Sequence, residues 1–279
     1  MEKGVKRWIV DISEWNPSPN DFSLALAALP QLEHSCITRF VREEDRKRAL
    51  VSRLLQYALV REVAQIPYDE IVIKRTLEGK PYLECDNGAQ PELPNFNFNV
   101  SHHGDYVAIA SEPLCLVGID IVSCDLPINE TVQSFIQAFE SYFSRFEWEN
   151  INKVGSPDDT LAEFYRYWSL KEAYVKAIGS GLSNGIDRVE FRHNNWMNIS
   201  VFIDGKRCKE WSFWLHELPK RHWLSIARGH PKAAWGSYKA TLKRTEFSQE
   251  VYENGLRLPN AGVDTRTVDQ LVQTLARAK

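Results

Sequence analysis

The sequence predicts an α+β fold made of two similar halves, each a small, mostly antiparallel sheet packed with helices. Three observations predict it. A helical period over residues 42–65 gives way to strand-like alternation at 96–101. A second helix-rich stretch over 130–178 gives way to four short β-rich runs. The two successions share an order, although no residue-by-residue repeat links them. The expected division is 1–113 for the N-terminal half, 114–235 for the C-terminal half and 236–279 for a C-terminal extension.

In order, RWIVDI (7–12) is a strand, and NPSPND turns the chain and offers an N-cap at Asn20 or Asp21. Ala49, Leu50, Leu54, Tyr57, Ala58 and Val63 recur at helical spacing until Pro67 stops the helix. IVIKRT is a strand and LEGKP a turn. In PNFNFNVSHHGDYVAIASEP, Phe96, Phe98 and Val100 alternate with Asn97, Asn99 and Ser101, so one strand face packs and the other stays polar. LCLVGIDIV is an almost unbroken apolar strand holding a single carboxylate, Asp120. Residues 130–153 read as helix, 155–159 (GSPDD) as a loop, and 162–178 as a helix closed by the glycines of GSGL. Strands follow at RVEFRH, NISVFI, EWSFWLHE and HWLSIAR. The stretch after Trp235 turns polar and reads as peripheral, although Thr267 and Gln270 could form a capping box on a last helix.

With 279 residues, 43% hydrophobic and 25% charged, the chain can bury a sizeable core. A net charge of -3 gives no overall field for a nucleic acid or an anionic membrane, so neither is an expected partner. Five scattered cysteines, none in a C-x-x-C pair, fit neither a disulfide framework nor a zinc ribbon and suggest a reducing compartment. No apolar run reaches the ~18 residues of a membrane span. A cytosolic protein is expected.

The segment AEFYRYWSLKEAYVKAI raises the chemical question. Wound at ~100° per residue, it gathers Tyr165, Ser169, Glu172 and Lys176 in one narrow sector, with apolar and aromatic residues over most of the rest. Glu172 and Lys176 can be an ordinary exposed i, i+4 pair worth ~0.3–0.5 kcal/mol. On a helix apolar nearly all round, they can instead be a poised pair facing a cleft. Asp120, flanked by apolar neighbours, needs a basic partner, an edge open to solvent, or a divalent metal; Asp120 with Glu172 offers the one or two carboxylates that Mg²⁺ prefers. Asn99 to Gly104 brings a hydroxyl, two imidazoles and backbone amides to a strand end, which suits an anion or a plain hairpin corner. Arg75 to Pro81 sets two cations around a tight turn, a phosphate clamp or an ordinary charged turn. The run Arg46-Lys47-Arg48, among Glu43, Glu44 and Asp45, reads as a solvated helix face.

Taken in order, EGKP (78–81), FNVSH (98–102), GIDI (118–121) and FYRYWSLKEAYVKAIGSGL (164–182) resemble the signature of the Sfp-type 4′-phosphopantetheinyl transferases. The wording of 94–113 is most similar to the eukaryotic enzymes that prime aminoadipate-semialdehyde dehydrogenase. The resemblance spans roughly residues 39–230. It implies a monomer with its active site in the cleft between the halves, binding Mg²⁺ and coenzyme A. The implied reaction passes the phosphopantetheine arm to a serine of an apo acyl carrier domain, on aminoadipate-semialdehyde dehydrogenase or a fatty-acid-synthase-like protein, and releases 3′,5′-ADP.

The resemblance also implies roles. Asp120 and Glu172 would hold the metal, Glu172 would act as general base, and Lys176 would contact the phosphates. Coenzyme A contacts would come from Arg75, Thr76, Leu77, Glu78, Gly79 and Lys80 and from Asn99, Val100, Ser101 and His102, together with Asp120, Glu172 and Lys176. Two departures stand out. Val122 replaces the second carboxylate of the bacterial GIDIE, leaving His103 as the nearest further ligand, and Cys36 falls near a phosphate-binding arginine position, for which Arg39 is the stand-in. Two rival readings are a metal-dependent nucleotide pyrophosphate hydrolase and a catalytically silent carrier-binding module.

Overall fold

The computed structural model describes residues 2–84, 92–181 and 185–276. Cys85 and Leu182 of GSGL lie outside them. The first half comprises β1 (Lys6–Asp11), α1 (Pro19–Ala27), α2 (Gln31–Thr38), α3 (Glu43–Ala64), β2 (Val72–Arg75), β3 (Pro81–Glu84), β4 (Asn97–His103) and β5 (Tyr106–Glu112). The second comprises β6 (Leu116–Ser123), α4 (Val132–Gln137), α5 (Arg145–Lys153), α6 (Pro157–Ile178), β7 (Val189–Asn194), β8 (Met197–Ile203), β9 (Lys206–Cys208), β10 (Trp211–Leu218) and β11 (His222–Gly229). The tail adds α7 (Gly236–Thr241), α8 (Gln249–Leu256), β12 (Asp264–Thr265) and α9 (Val268–Ala276).

The strands order as β12-β1-β5-β4 in the first half and β10-β11-β6 in the second, with small sheets β2-β3 and β7-β8-β9. All pairings among them are antiparallel except β1 with β12. The expected α+β doubling is therefore the observed architecture. One core forms around α3, Phe98 and Ile109, a second around α6, and a third where Ile9, Ala108 and Ala110 meet Ile119, Ile121 and Ile226 between the two sheets.

Several local readings are corrected. The first helix is capped by Ser18 rather than Asn20 or Asp21; Asp21 is the reciprocal partner in a capping box, with Pro19 opening the helix. The GSPDD loop shrinks because Ser156 caps α6, so Pro157, Asp158 and Asp159 form its first turn. Residues 130–153 break into two helices around a short 3₁₀ turn, Glu140–Tyr142. Lys47 is buried rather than solvated, and Arg48 reaches across to the Gly104 carbonyl at 2.8 Å.

The largest correction concerns the tail. Far from peripheral, it returns to the first half: β12 pairs with β1, while Val268, Leu271 and Leu275 of α9 enter the α3 core. The Thr267–Gln270 capping box forms, with bonds of 2.9 and 3.2 Å. A fully buried cluster holds tail and halves together. Arg7 and Arg228 both bond to Glu112, and Arg228 also donates to the carbonyls of Leu256, Leu258 and Pro259. The tail reads as polar because only one stripe of it is apolar, and that stripe needs α3 to complete it.

Candidate active site

The alternation in β4 has an unexpected use. Its polar face is turned to β6, with only His103 at its end exposed: Asn97 Oδ1, Asn99 Oδ1, Ser101 Oγ and His103 Nδ1 accept in turn from the backbone N–H groups of Val117, Ile119, Ile121 and Ser123, at 2.9–3.3 Å. Every second side chain of β4 meets every second N–H of β6. Because both strands have a two-residue period, the side chains satisfy a strand edge that has no backbone partner on that side. This ladder sets the position of Asp120 across from Ser101.

Helix α6 packs closely against β6. Gly118 makes that approach possible, since a Cβ there would stand 1.9 Å from the Ala173 carbonyl oxygen and 2.5 Å from the Ala177 nitrogen. The sector picked out on the helix is therefore turned inward: Ser169 is fully buried, its backbone carbonyl accepting a 2.5 Å bond from the Ser225 hydroxyl, and Tyr165 is buried. Glu172 and Lys176 do not form the ordinary i, i+4 pair. Lys176 Nζ lies 2.5 Å from Asp120 Oδ1 and 2.9 Å from Ser101 Oγ, and Ser101 donates to the same carboxylate oxygen at 3.0 Å.

Two oxygen donors are left over. Among the described residues, Asp120 Oδ2 is buried with no hydrogen-bond partner and Glu172 makes no hydrogen bond or ion pair. Burial, with the Asp120 charge, pushes the Glu172 carboxyl up to about 7, against the opposing pull of Lys176. His102 is exposed along one edge. Even so, desolvation of the rest of the ring, then the Lys176 and Arg48 charges, hold it down to about 4 and thus neutral at physiological pH. Among the described residues no group of three or more His, Cys, Asp or Glu forms a metal cluster. His103 spends Nδ1 on Ser123, leaving only Nε2 for any ligand.

Glu172 and Lys176 line a cleft of about 340 Å³ together with Arg75, Glu78, Gly79, Lys80, Asn99 and Val100. Most of the residues singled out in the sequence thus surround one space. Thr76 and Leu77 belong to the same turn without lining the cleft; Thr76 closes it through a 2.9 Å bond to the Lys80 carbonyl, and Leu77 is 95% exposed. The glycine there adopts φ 89°, a conformation that favours glycine. Since Asn99 Oδ1 faces Ile119, its Nδ2 is the group left for the cleft.

Two residues are placed differently from expectation. Arg39 sits exposed after α2 with its guanidinium over Phe40, and it does not line the cleft. Lys80 lines the cleft with its stem, yet its ammonium bonds to the Val117 and Lys176 carbonyls at 3.0 and 2.5 Å. Sequence reasoning missed Arg53, which pairs with Glu33 at 3.0 Å and lies close enough to lower Arg75 after burial has done so. It also missed Tyr238, buried against Lys80. Arg53 has no distinguishing local signal on a charged helix, and Tyr238 lies in a polar stretch.

Comparisons with known proteins identify the family. A family described as 4′-phosphopantetheinyl transferase, N-terminal, matches residues 13–114, and the 4′-phosphopantetheinyl transferase superfamily matches residues 116–228. The chain is 36% identical over 233 residues to the L-aminoadipate-semialdehyde dehydrogenase-phosphopantetheinyl transferase of Rattus norvegicus, covering 81% of this chain and 75% of that protein. It is 35% identical over 247 residues to a phosphopantetheinyl transferase of Thraustochytrium sp., covering 83% of each. A solved holo-[acyl-carrier-protein] synthase of Thermotoga maritima aligns over 41% of this chain and 62% of its own, at 20% identity and a TM-score of 0.30, too low to carry an argument.

Proposed function

The chain belongs to the 4′-phosphopantetheinyl transferase superfamily, and from that premise we propose that it moves the phosphopantetheine arm of coenzyme A onto a serine of an apo acyl carrier domain, releasing 3′,5′-ADP. One observation carries the residue assignment: Asp120 and Ser101, which lie behind the cleft wall without lining it, contact the cleft-lining Lys176, and among the described residues Asp120 Oδ2 and the Glu172 carboxylate have no partner.

Those two carboxylates are hard oxygen donors, and a buried carboxylate oxygen without a partner suits a divalent cation. They are the residues that would hold Mg²⁺, with water and substrate phosphate completing its shell in place of the carboxylate that Val122 lacks. When bound, Mg²⁺ would offset the charge of the pyrophosphate.

Phosphoryl transfer depends mainly on positioning and charge neutralisation. Lys176 supplies a cation at the cleft wall, held in place by Ser101 and Asp120, and stabilises the phosphate that leaves with 3′,5′-ADP. A carrier serine is a poor nucleophile until its proton is taken. Glu172, whose carboxylate lines the cleft and has no partner among the described residues, is the group that would take it. Arg75 and the Asn99 amide offer donors to the ligand's phosphates and carbonyls, while neutral His102 can donate one hydrogen bond.

The names of the relatives make the carrier domain of an aminoadipate-semialdehyde dehydrogenase the first substrate to try, and a fatty-acid-synthase-type carrier the second. We further assign the protein to the cytosol as a monomer. No described helix is long and apolar enough to cross a membrane. Incubation with Mg²⁺, coenzyme A and each apo carrier, read by mass spectrometry, tests the function. The carrier should gain one phosphopantetheinyl group. Release of 3′,5′-ADP without any carrier would favour pyrophosphate hydrolysis, and carrier binding without transfer would favour a silent binding module.

A further inference from the structure

Lys80 comes from the turn of the first half that the resemblance assigns to coenzyme A, yet its charge is spent inside the protein. The residue is 6% exposed. An ammonium has three protons to donate and no acceptor. One goes to the Val117 carbonyl on β6 at 3.0 Å, one goes to the Lys176 carbonyl at 2.5 Å, and the group stands 4.6 Å from the centre of the Tyr238 ring. No carboxylate pairs with it among the described residues.

Both carbonyls sit on elements that carry the proposed chemistry. Lys176 is in the last turn of α6, where carbonyls lack intrahelical partners and the helix end is partly negative. Lys80 therefore caps α6 from the opposite half of the molecule. The last residue of the second half caps the same helix end through the Trp235 N–H, 2.9 Å from the Ile178 carbonyl. Val117 lies three residues before Asp120 on β6. Tyr238, 1% exposed, closes over the ammonium and donates to Asn97 Oδ1 at 3.2 Å, where the β4–β6 ladder begins.

We propose that Lys80 is a positioning residue rather than a phosphate ligand: from the first half it holds the end of α6 and strand β6 in register, fixing Lys176 and Glu172 relative to Asp120, with Tyr238 as the cover of that joint. The proposal rests on the roles given to Asp120, Glu172 and Lys176 above. Burial, then the Lys176 charge, push the Lys80 pKa down to about 7, which is how a desolvated structural ammonium behaves.

The test uses the full-length chain. Lys80→Met keeps the stem and removes the donors. A phosphate ligand lost in this way would weaken coenzyme A binding by calorimetry and leave kcat unchanged at saturation. A lost positioning contact would keep the coenzyme A Kd within about threefold while kcat falls roughly tenfold to a hundredfold, the cost of displacing catalytic groups by ångström distances. Tyr238→Leu, which removes the ring over Lys80 and the bond to Asn97, should show the same split and serves if Lys80→Met does not fold. A Kd raised more than tenfold with kcat preserved in either variant overturns the proposal.

Melting temperatures of the ligand-free protein give a second reading that needs no activity. The double variant should melt within about 2 °C of Lys80→Met alone, because the two side chains act on one joint. Strictly additive losses overturn the proposal. Failure of the wild type to bind coenzyme A would sink the functional reading instead, leaving the thermal cycle to judge Lys80.

Discussion

Lys171, the residue before Glu172, tests how the candidate catalytic helix is anchored. Its ammonium and the Glu147 carboxylate are both fully buried, 2.9 Å apart, and Lys171 also donates to the carbonyls of Ile186 and Val189. Glu147 in turn accepts from the backbone nitrogens of Phe191 at 2.8 Å and Ser144 at 2.9 Å. The pair thus ties α5, α6 and β7 together. Lys171→Met would strand the carboxylate, and breaking one side of a buried pair costs about 3–5 kcal/mol. For a chain of this size that is a melting temperature lower by roughly 6–20 °C. Calorimetry of Lys171→Met, Glu147→Gln and the double variant measures it.

The double variant should be at least as stable as Lys171→Met, because glutamine removes the stranded charge and still accepts from Phe191. The pH dependence has a definite sign. Burial already raises the Glu147 carboxyl against the pull of Lys171. Without Lys171 its folded pKa rises further above the unfolded value, so stability falls as pH climbs between the two, and the penalty is smaller at pH 5 than at pH 8. A Lys171→Met loss below about 1 kcal/mol, or a double variant that loses the sum of both singles, would refute the reasoning.

Glu172→Gln should abolish carrier modification while the fold is kept. Without divalent cation it should also melt higher than wild type at pH 8 and equally near pH 4, since a carboxyl raised to about 7 costs stability as pH rises from the usual carboxylate range to that value. Gly118→Ala should cost at least about 1–3 kcal/mol and lower kcat, because the added methyl drives α6 from β6; an unchanged melting point would contradict the close approach. Removing residues 261–279 deletes three core side chains whose burial is worth about 1.5–3 kcal/mol each and bares the α3 surface they cover, so the truncated chain should bind a hydrophobic dye and aggregate; a soluble, fully active truncation would mean that the tail is dispensable.

Much of this fold is legible in the sequence because it rests on short-range periodicity. The 3.6-residue repeat of α3 and the alternation of Phe96 to Ser101 arise within a few residues, so they survive without tertiary information. Boundaries were less legible. Ser18 and Ser156 win their caps through side-chain bonds to nitrogens three residues on, in competition with acidic neighbours that look equally suitable. In the candidate site, residue types singled out Asp120, Glu172 and Lys176 as candidates, but not who pairs with whom. Lys176 spans 56 residues to Asp120 instead of four to Glu172.

By itself the sequence determined the element types, their doubled order and the four motifs that mark the family, since each is written in contiguous residues. Only the tertiary structure decided where charges and polar faces are spent. The Asn-Ser-His face of β4 serves β6 rather than water, Lys80 serves two carbonyls rather than an evident ligand, and a polar tail completes an apolar core. The physical reason is the same in each case. A buried polar group takes the nearest unsatisfied partner, and which group is nearest depends on chain distances that no local pattern contains.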